Sequence, residues 1–362
     1  MVKKFVYGTP FETEAVVKEI PSSEGNPDYG TFSTENGFSF TTKLADEDMV
    51  FGLGEANRGI NKRGFLYISD CADDPNHVES KTSLYAAHNF IIISGKTHVG
   101  FFFDYPGTLR FDIGYTTSDT MTVSCENADL YVYMITGDSD LDIVKQFRGI
   151  IGRSYIAPKF AFGYGQSRWG YKTEDDFRTV VKKYRENHVP LDMVYMDIDY
   201  MQDYKDFTVN EERFPDFEGF VQDMKKEKIH LVPIIDAGVK VEKDYDIYEE
   251  GCEKGYFCRR EDGSYFEATV WPGWTHFPDV LNADARKWFG DKYDVLVSKG
   301  IDAFWNDMNE PSIFYSQEGL ADFKETAKKY VEGDPEVPHY MVGGSFRHWQ
   351  TTMRTINAFI TT

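Results

Sequence analysis

The sequence lacks several features that would place it in other classes of protein. Its four cysteines have neither the density nor the spacing of a disulfide framework or a common zinc site. The N-terminal segment MVKKFVYGTP has no apolar core of the kind found in secretory signals. No run approaches the ~18 apolar residues that a membrane helix needs. These absences predict a reduced, cytoplasmic protein.

Positive charge is also scarce. Lys and Arg number 39 against 60 Asp and Glu, so the formal net charge is −21. That balance disfavours binding to nucleic acid or to an anionic membrane surface. Nucleotide-binding and zinc-protease motifs are missing, and the acidic run from Asp197 to Asp206 has Gln202 where a calcium loop needs glycine. We therefore predict no cofactor, no metal, no nucleic-acid partner and no membrane partner.

The sequence pattern changes near residue 150. Before that point, strands rich in β-branched and aromatic residues are separated by Gly, Asn and Asp, which is typical of a β-sandwich. Afterwards short apolar runs alternate with helical patterns, as in a (β/α)8 barrel or an open doubly wound sheet. We predict a sandwich over residues 1–150 and an α/β region over residues 151–362, with a small hairpin inserted near residues 256–279.

Four strands and three helices of the second region can be placed from the sequence. The helix TEDDFRTVVKKYRENHV has Thr173 as its candidate N-cap, and ADARKWFGDKYDVLVSKG ends at Gly300. FEGFVQDMKKEK is the helix between them in the chain. The predicted strands are FAFGYGQS, LDMVYMDI, IHLVPIID and IDAFWND.

Acidic residues end three successive predicted strands. Asp197 and Asp199 end the second strand, Asp236 the third and Asp307 the fourth. In an α/β barrel these strand ends share the face where catalytic groups gather. One such Asp would be explained more simply as a helix cap, but three in a row beside aromatic residues indicate a site for a hydroxyl-rich ligand. The neighbouring tryptophans are Trp169, Trp271 and Trp305.

Paired carboxylates suit the cleavage of glycosidic bonds. One carboxylic acid protonates the leaving oxygen, while a second carboxylate attacks the anomeric carbon or activates water. Because the transition state carries positive charge, an anionic pocket stabilises it. The sequence therefore favours glycoside hydrolysis as the chemistry of this site.

Several motifs resemble those of glycoside hydrolase family 31, the retaining α-glucosidase family. In chain order they are FGLGE, GYGQSRWGY, MDIDYMQDYKDFT with RFPDF, FPD and WNDMNEPSIF. FGLGE alone is a weak signal, whereas the ordered set is highly specific. The resemblance implies an N-terminal β-sandwich followed by a (β/α)8 TIM barrel, of which only about the first four β/α units are present.

The resemblance also implies residue roles. Asp307 looks like the nucleophile that forms a covalent glucosyl-enzyme intermediate, and Asp197 like the acid that hydrogen-bonds the terminal glucose. Glu310 looks like a supporting residue of the motif, and Asp73 like a sugar contact on a sandwich loop. The other implied substrate-binding residues are Trp169, Ile198, Ile234, Asp236, Trp271, Trp305, Met308 and Phe314.

The sequence departs from the family pattern after the nucleophile motif. The general acid/base of the family lies about a hundred residues further on, and no such position occurs in these 362 residues. The stretch after Trp349 also lacks the expected family motif, as a frameshift or premature stop would produce. We expect this chain alone to be poorly stable and weakly active at best, because general-acid catalysis contributes about 10²–10⁴-fold.

Three functional hypotheses follow. The first is a retaining α-glucosidase that releases terminal non-reducing α-linked glucose from short oligosaccharides. An α-xylosidase or another α-glycosidase of the same family is the second, although the apolar pair Ile198 and Ile234 suits neutral glucose better. A non-catalytic sugar-binding fragment is the third. An oligosaccharide is thus the predicted partner, and a homo-oligomer is compatible with the sequence.

Overall fold

The structure is a computed structural model that describes residues 1–71, 76–309 and 312–317. The chain divides into two compact units, one over Met1–Tyr155 and the other beginning at Ile156. Among the described residues, the helices are all too short or too polar to span a bilayer.

The first unit consists mainly of antiparallel strands. They are β1 (Val2–Tyr7), β2 (Thr31–Ser33), β3 (Phe38–Lys43), β4 (Met49–Gly52), β5 (Phe65–Ser69), β6 (Phe90–Ser94), β7 (His98–Asp104), β8 (Leu109–Ile113), β9 (Thr120–Cys125) and β10 (Leu130–Gly137). One sheet has the order β1-β10-β7-β6-β4, and the other has the order β2-β3-β9-β8-β5. The β-sandwich predicted for this part of the chain is therefore present.

Aromatic rings fill the space between these two sheets. Phe101 and Phe103 lie two residues apart on β7, so their side chains share one face of the strand. Phe40 from the other sheet packs on both, with ring centroids 4.7 and 6.0 Å away. All three rings are fully buried, and burial of each stabilises the fold by roughly 1.5–3 kcal/mol. Much of the high aromatic content is thus explained by this core.

Helix α1 (Asp140–Ile151) follows the last sandwich strand. Ser139 caps it by accepting a hydrogen bond from the N–H of Asp142, and acidic residues in the first turn suit the positive end of the helix dipole. Phe147 of α1 stacks on Phe90 of β6 at a centroid distance of 3.9 Å. The helix therefore covers the outer face of one sheet.

The second unit alternates strands and helices. Its strands are β11 (Gly165–Gln166), β12 (Met193–Met196), β13 (His230–Asp236), β14 (Val239–Lys240), β15 (Glu267–Val270), β16 (Gly273–His276), β17 (Trp305–Asp307) and β18 (Tyr315–Ser316). Its helices are α2 (Glu174–Glu186), α3 (Phe217–Lys226), α4 (Asp246–Lys254), α5 (Ala283–Lys292) and α6 (Asp294–Val297). Short 3₁₀ turns occupy Lys159–Phe162 and Ile198–Tyr200.

Four of these strands form the parallel sheet expected for the first part of a barrel, in the order β11-β12-β13-β17. A second, antiparallel sheet has the order β14-β16-β15-β18. Helix α2 shows why its segment is helical. Thr173 and Asp176 form a capping box, and Phe177 and Val181, four residues apart, turn toward the core.

Three predicted strands are shorter than the sequence suggested, which corrects the assignment. In LDMVYMDI only Met193–Met196 forms a strand, and Ile198 begins a 3₁₀ turn. In FAFGYGQS, Lys159–Phe162 forms a 3₁₀ turn, and only Gly165–Gln166 pairs as a strand. Pro158 lacks an N–H and precedes this turn, while the N–H of Gly163 closes it on the Phe160 carbonyl. In IDAFWND only Trp305–Asp307 pairs.

The third predicted helix is also interrupted. It divides at Tyr293 into α5 and α6, and the hydroxyl of Tyr293 donates to Asn306 Oδ1 at 2.7 Å. Gly300 follows with a φ of 103°. Within the hairpin predicted near residues 256–279, Gly263 has a φ of 84° and allows the tight turn that bridges Arg259 to Tyr265.

Candidate active site

Two neighbouring parallel strands bring a pair of carboxyl groups side by side. Asp236 ends β13, Asp307 ends β17, and these two residues are register partners. Asp197 directly follows β12, the strand on the other side of β13. The three predicted acids therefore share the carboxyl end of the parallel sheet, where α/β barrels place their catalytic groups.

Asp197 lies at the start of the 3₁₀ turn Ile198–Tyr200. Its Oδ1 accepts a hydrogen bond of 2.8 Å from the N–H of Ile198, which fixes the orientation of the carboxyl group. Burial raises the pKa of Asp197, the hydrogen bond from Ile198 opposes this effect, and the charge of Asp199 adds to it. This half-buried acid can accept or donate a hydrogen bond to a ligand hydroxyl.

Asp199, the other acid of the MDIDYM motif, has a different environment. Only 1% of its side chain is exposed, and its Oδ1 accepts a 3.1 Å hydrogen bond from Arg213 Nη1. The same guanidinium nitrogen donates to the Asp199 carbonyl at 2.7 Å. Asp199 is thus held in an ion pair with Arg213, the first residue of the RFPDF motif.

Asp236 is the most unusual of the predicted acids. It is 2% exposed, and neither carboxyl oxygen has a hydrogen-bond partner among the described residues. Burial, and then the charges of Asp307 and Asp197, raise the pKa of Asp236 to about 8. Because a buried carboxylate without a partner is very costly, Asp236 is protonated at neutral pH.

Asp206 is a functional candidate that the sequence reasoning missed. It is 1% exposed, and its Oδ1 accepts a 3.0 Å hydrogen bond from the N–H of Asp236. Burial, and then the charge of Asp236, raise the pKa of Asp206 well above the usual range. The available signal was its place at the end of the acidic run that begins at Asp197, which we considered only as a calcium loop.

The predicted apolar walls are mostly part of the core. Ile198 and Ile234 are 3% and 1% exposed and belong to the main apolar cluster of the second unit. Met308 is also buried and has a φ of 58° directly after Asp307. Trp305 is partly buried and meets the edge of Tyr195 at 6.1 Å. These four residues are close to the acids in the sequence or in the sheet, and their role as walls of a sugar subsite stays a prediction.

Three predicted aromatic residues form an exposed row. Trp169 is 63% exposed and lies 6.3 Å from Trp271, which is 44% exposed. Phe314, at 37% exposure, meets Trp271 edge-on at 4.9 Å. Exposed rings of this kind offer apolar faces to a ligand. The structure thus unites three aromatic residues that are far apart in the sequence.

The antiparallel hairpin β15–β16 positions two of these rings. Trp271 lies in its turn, and Thr269 of β15 binds the chain that follows the candidate nucleophile. The N–H of Phe314 donates to the Thr269 carbonyl at 2.9 Å, and the N–H of Tyr315 donates to Thr269 Oγ1 at 3.3 Å. The segment after Asp307 is therefore tied to the hairpin through β18.

Two predicted residues, Asp73 and Glu310, lie outside the described residues. The roles proposed for them stay predictions. The same holds for the roles of Asp307, Asp197 and the wall residues, because their placement shows only which groups are close together.

Comparison with known proteins identifies relatives of both units. A model of the glycosyl hydrolases family 31 TIM-barrel domain matches residues 154–359, and a model of the family 31 N-terminal galactose mutarotase-like domain matches residues 11–112. The first match includes most of the stretch after Trp349, for which we expected a departure from the family. It covers more than half of the chain.

Two relatives are named α-glucosidases. Alpha-glucosidase 2 of Bacillus thermoamyloliquefaciens is 38% identical over 277 residues, which are 75% of this chain and 35% of that protein. The alpha-glucosidase of Saccharolobus solfataricus is 27% identical over 359 residues, or 96% of this chain and 52% of that protein. The chain thus spans between about a third and a half of the length of these relatives.

Solved structures show the same fold. A family 31 dextranase of Flavobacterium johnsoniae complexed with isomaltotriose has a TM-score of 0.72 and 23% identity, over 80% of this chain and 36% of the other. The catalytic subunit of an ER glucosidase II complex has a TM-score of 0.68 and 27% identity, over 77% and 33%. From the two domain matches, the relatives and the shared fold, we conclude that this chain belongs to glycosyl hydrolase family 31.

Proposed function

We propose that the protein containing this chain is a retaining α-glucosidase with Asp307 as its nucleophile. The observation that carries the proposal is the register pairing of Asp307 with Asp236 at the carboxyl end of the sheet. The α-glucosidase names of two relatives support the choice of sugar. Terminal α-linked glucose of short oligosaccharides is the proposed substrate.

The environments of the acids favour Asp307 as the attacking group. Asp236 is buried and protonated at neutral pH, so it is a poor nucleophile. Asp199 is neutralised by Arg213. Asp307 is only partly buried, and a neutral Asp236 beside it adds no charge that would oppose its ionisation. Asp307 is therefore the residue of the strand-end group best suited to be an anionic nucleophile.

The proposed reaction proceeds in two steps. The Asp307 carboxylate attacks the anomeric carbon as the glycosidic C–O bond breaks, and the leaving oxygen takes a proton from a general acid. Water then gives a proton to that same group, now a general base, and attacks the same carbon, so the bond to Asp307 breaks and glucose leaves with its configuration retained. We propose that Asp197 hydrogen-bonds the sugar hydroxyls, while Asp73 and Glu310 keep the roles that the family resemblance implies.

The exposed aromatic row supplies the proposed outer part of the binding site. Trp169, Trp271 and Phe314 present ring faces and edges to which the apolar faces of a sugar can pack. Ile198, Ile234, Trp305 and Met308 are proposed to line the inner part, beside the acids. The buried members of this set also stabilise the core, so substitution affects both stability and binding.

Covalent trapping tests the proposal directly. 5-Fluoro-α-glucosyl fluoride carries a leaving group that departs without protonation, so the trapping step needs the nucleophile and not a general acid. We expect intact-protein mass to rise by one fluoroglucosyl group and peptide mapping to place it on Asp307. Asp307→Asn should abolish the label, whereas Asp203→Asn, on an exposed loop, should leave it unchanged. A label on another carboxylate would refute the assignment.

The other functional hypotheses make different predictions. A panel of nitrophenyl α-glycosides separates glucose from xylose and other sugars by the ratio of kcat/KM values. Calorimetry with glucose on the same sample tests the hypothesis of a non-catalytic sugar-binding fragment. That hypothesis predicts that glucose binds but that neither turnover nor covalent trapping occurs. Cell fractionation tests the predicted cytoplasmic location.

The domain boundaries are also proposed. We propose a sandwich domain over residues 1–150 and a barrel domain over residues 151–362, with the inserted hairpin near residues 256–279. Limited proteolysis should cut first just after α1, in the exposed segment that contains Tyr155 and Ile156, if the domain boundary lies there.

A further inference from the structure

A carboxyl group with no assigned role lies behind the candidate nucleophile. Asp206 is in a loop after β12, yet its side chain reaches the end of β13, where its Oδ1 accepts the N–H of Asp236 at 3.0 Å. Asp236 in turn is the register partner of Asp307. A single backbone hydrogen bond therefore connects Asp206 to the residue beside the proposed nucleophile.

The loop that carries Asp206 is itself held firmly. The Tyr245 hydroxyl donates to the Asp206 carbonyl at 2.8 Å, and the Tyr200 hydroxyl donates to the Ile234 carbonyl at 2.8 Å. Tyr200 and Tyr245 are both buried. Two tyrosine hydroxyls thus fix the loop and the strand on either side of the Asp206–Asp236 contact.

The ionisable groups that face the contact between Asp206 and Asp236 are carboxyl groups and tyrosine hydroxyls. Asp197 and Asp307 lie on the side of Asp236, and the hydroxyls of Tyr200, Tyr245 and Tyr293 surround Asp206. Among the described residues, no lysine, arginine or histidine forms an ion pair with Asp206 or Asp236. Because a carboxylate buried without a counter-charge is very costly, burial favours the protonated form of both Asp206 and Asp236.

We propose that Asp206 is a positioning residue that, as a neutral acid, fixes the backbone of Asp236 and so sets the place of the strand end beside Asp307. The role given to Asp307 rests on the proposed function, whereas the contact between Asp206 and Asp236 does not. In this arrangement Asp206 touches no substrate. Its contribution is an acceptor atom in a fixed place and the absence of a second negative charge near the nucleophile.

Substitutions can separate the acceptor from the charge. Asp206→Asn keeps a carbonyl oxygen for the Asp236 N–H and is neutral at every pH. Asp206→Ala removes the acceptor. Asp302→Ala is the control for general effects of removing an acid, because Asp302 lies on the protein surface, where it contacts His230.

Two measurements on the intact protein follow each variant. Amide hydrogen exchange at Asp236 reports the contact without any need for activity. The kinetics of trapping by 5-fluoro-α-glucosyl fluoride report the nucleophile, with the maximal rate of labelling separated from the concentration for half-maximal rate. A residue that acted only on stability would lower the folded fraction and leave the labelling rate of the folded fraction unchanged.

We expect Asp206→Ala to speed Asp236 amide exchange at least about tenfold. We expect the same variant to lower the maximal labelling rate by about 10²-fold, since small displacements near reacting atoms have effects of that size. Asp206→Asn should stay within about threefold of the parent in both measurements, because it preserves the acceptor.

Three results would overturn the proposal or part of it. Unchanged Asp236 exchange in Asp206→Ala would show that the hydrogen bond does not hold the strand end. Failure of Asp206→Asn to label, with the protein folded, would show that the negative charge is required. A third result combines faster Asp236 amide exchange in Asp206→Ala, as expected, with no label on Asp307 in the parent protein. It would support the contact but refute the proposed function and the link to the nucleophile.

Discussion

The two units of this chain differ in the hydrogen bonding of their buried carboxyl groups. In the sandwich, Asp104 is 5% exposed and receives a 2.6 Å hydrogen bond from the Thr13 hydroxyl. In the second unit, Asp199, Asp206 and Asp236 are all at most 2% exposed. Each of these three acids of the second unit has at least one carboxyl oxygen without a hydrogen-bond partner among the described residues. Both units have large apolar cores, so the difference lies in their polar interior.

This contrast shows that the second unit buries carboxyl groups at a cost in stability. In the sandwich the buried acid has a hydrogen-bond partner, so its burial in the apolar core conflicts little with stability. Buried acids with unpartnered oxygens lower stability, and they persist when the surrounding structure and a functional requirement hold them in place. The predictions below test the contrast, beginning with the largest expected effect.

The largest expected effect is the loss of Arg213, which neutralises buried Asp199. Arg213→Ala should lower the free energy of unfolding by about 3–5 kcal/mol, because it leaves a charge inside the protein without its main counter-ion. Arg178→Ala is the matched control, since the two arginines are equally exposed, at 36% and 37%, but the partners of Arg178 are accessible. Its loss should cost about 1 kcal/mol or less. Urea denaturation measures both, and equal costs would contradict the role given to Arg213 as the counter-ion of a buried carboxylate.

A stabilising effect is expected for Asp236→Asn. The folded-state pKa of Asp236, about 8, lies above the ordinary value of 3.8, so the unfolded chain ionises first as pH rises. The parent protein therefore loses stability between about pH 4 and pH 8, whereas the variant does not. At pH 8 we expect the variant to be more stable by at least about 1.4 kcal/mol, a tenfold change in the folding equilibrium. Near pH 4 the two proteins should agree.

Denaturation at several pH values measures this difference. Asp203→Asn serves as control, because Asp203 is exposed. A constant difference between parent and variant at every pH would contradict the assignment of the proton to Asp236.

A smaller effect is expected in the sandwich for Thr13→Val. The Thr13 hydroxyl lowers the pKa of Asp104, which burial has raised to about 6, so removing the hydroxyl raises that pKa further. The cost, about 1 kcal/mol, should appear above pH 6, where the parent carboxyl is ionised. Thr41→Val is the control, because the Thr41 hydroxyl pairs with neutral Thr122 and its loss should not depend on pH. Thermal denaturation at pH 5 and pH 8 distinguishes the two outcomes.

The smallest change in stability is expected for Trp169→Ala. This exposed ring contributes little to the core, so the free energy of unfolding should change by about 0.5 kcal/mol or less. Tyr115→Ala, equally exposed in the sandwich, should behave in the same way. If the aromatic row binds sugar, only Trp169→Ala should weaken the binding of a short α-linked glucose oligosaccharide, by about fivefold or more. Calorimetry measures it, and equal affinities would remove Trp169 from the site.

The sequence predicted the elements better than their contacts. The carboxyl ends of three strands were found because apolar runs stop at Asp197, Asp236 and Asp307, and parallel strands bring such ends together. Register pairing between Asp236 and Asp307 could not be predicted, since it depends on where β17 begins. IDAFWND has apolar residues from its start, yet pairing begins only at Trp305.

The roles of similar acids were also beyond the sequence. Asp197 and Asp199 stand two residues apart in one motif, and only the position of Arg213 shows that Asp199 is neutralised. Asp206 was missed because its partner is a backbone N–H 30 residues away, which leaves no pattern in the sequence. Long-range hydrogen bonds of this kind depend on the packing of loops, and local periodicity carries no information about them.

The backbone of Met308 has a consequence for protein engineering. Its φ of 58° is unfavourable for a residue with a side chain, by roughly 1–2 kcal/mol, so glycine would relax the backbone there. Yet the Met308 side chain is 6% exposed, and glycine would leave a cavity next to Asp307. The two requirements oppose each other at a single position. A library that optimises thermal stability alone would therefore sample substitutions at position 308 that loosen the turn after the proposed nucleophile.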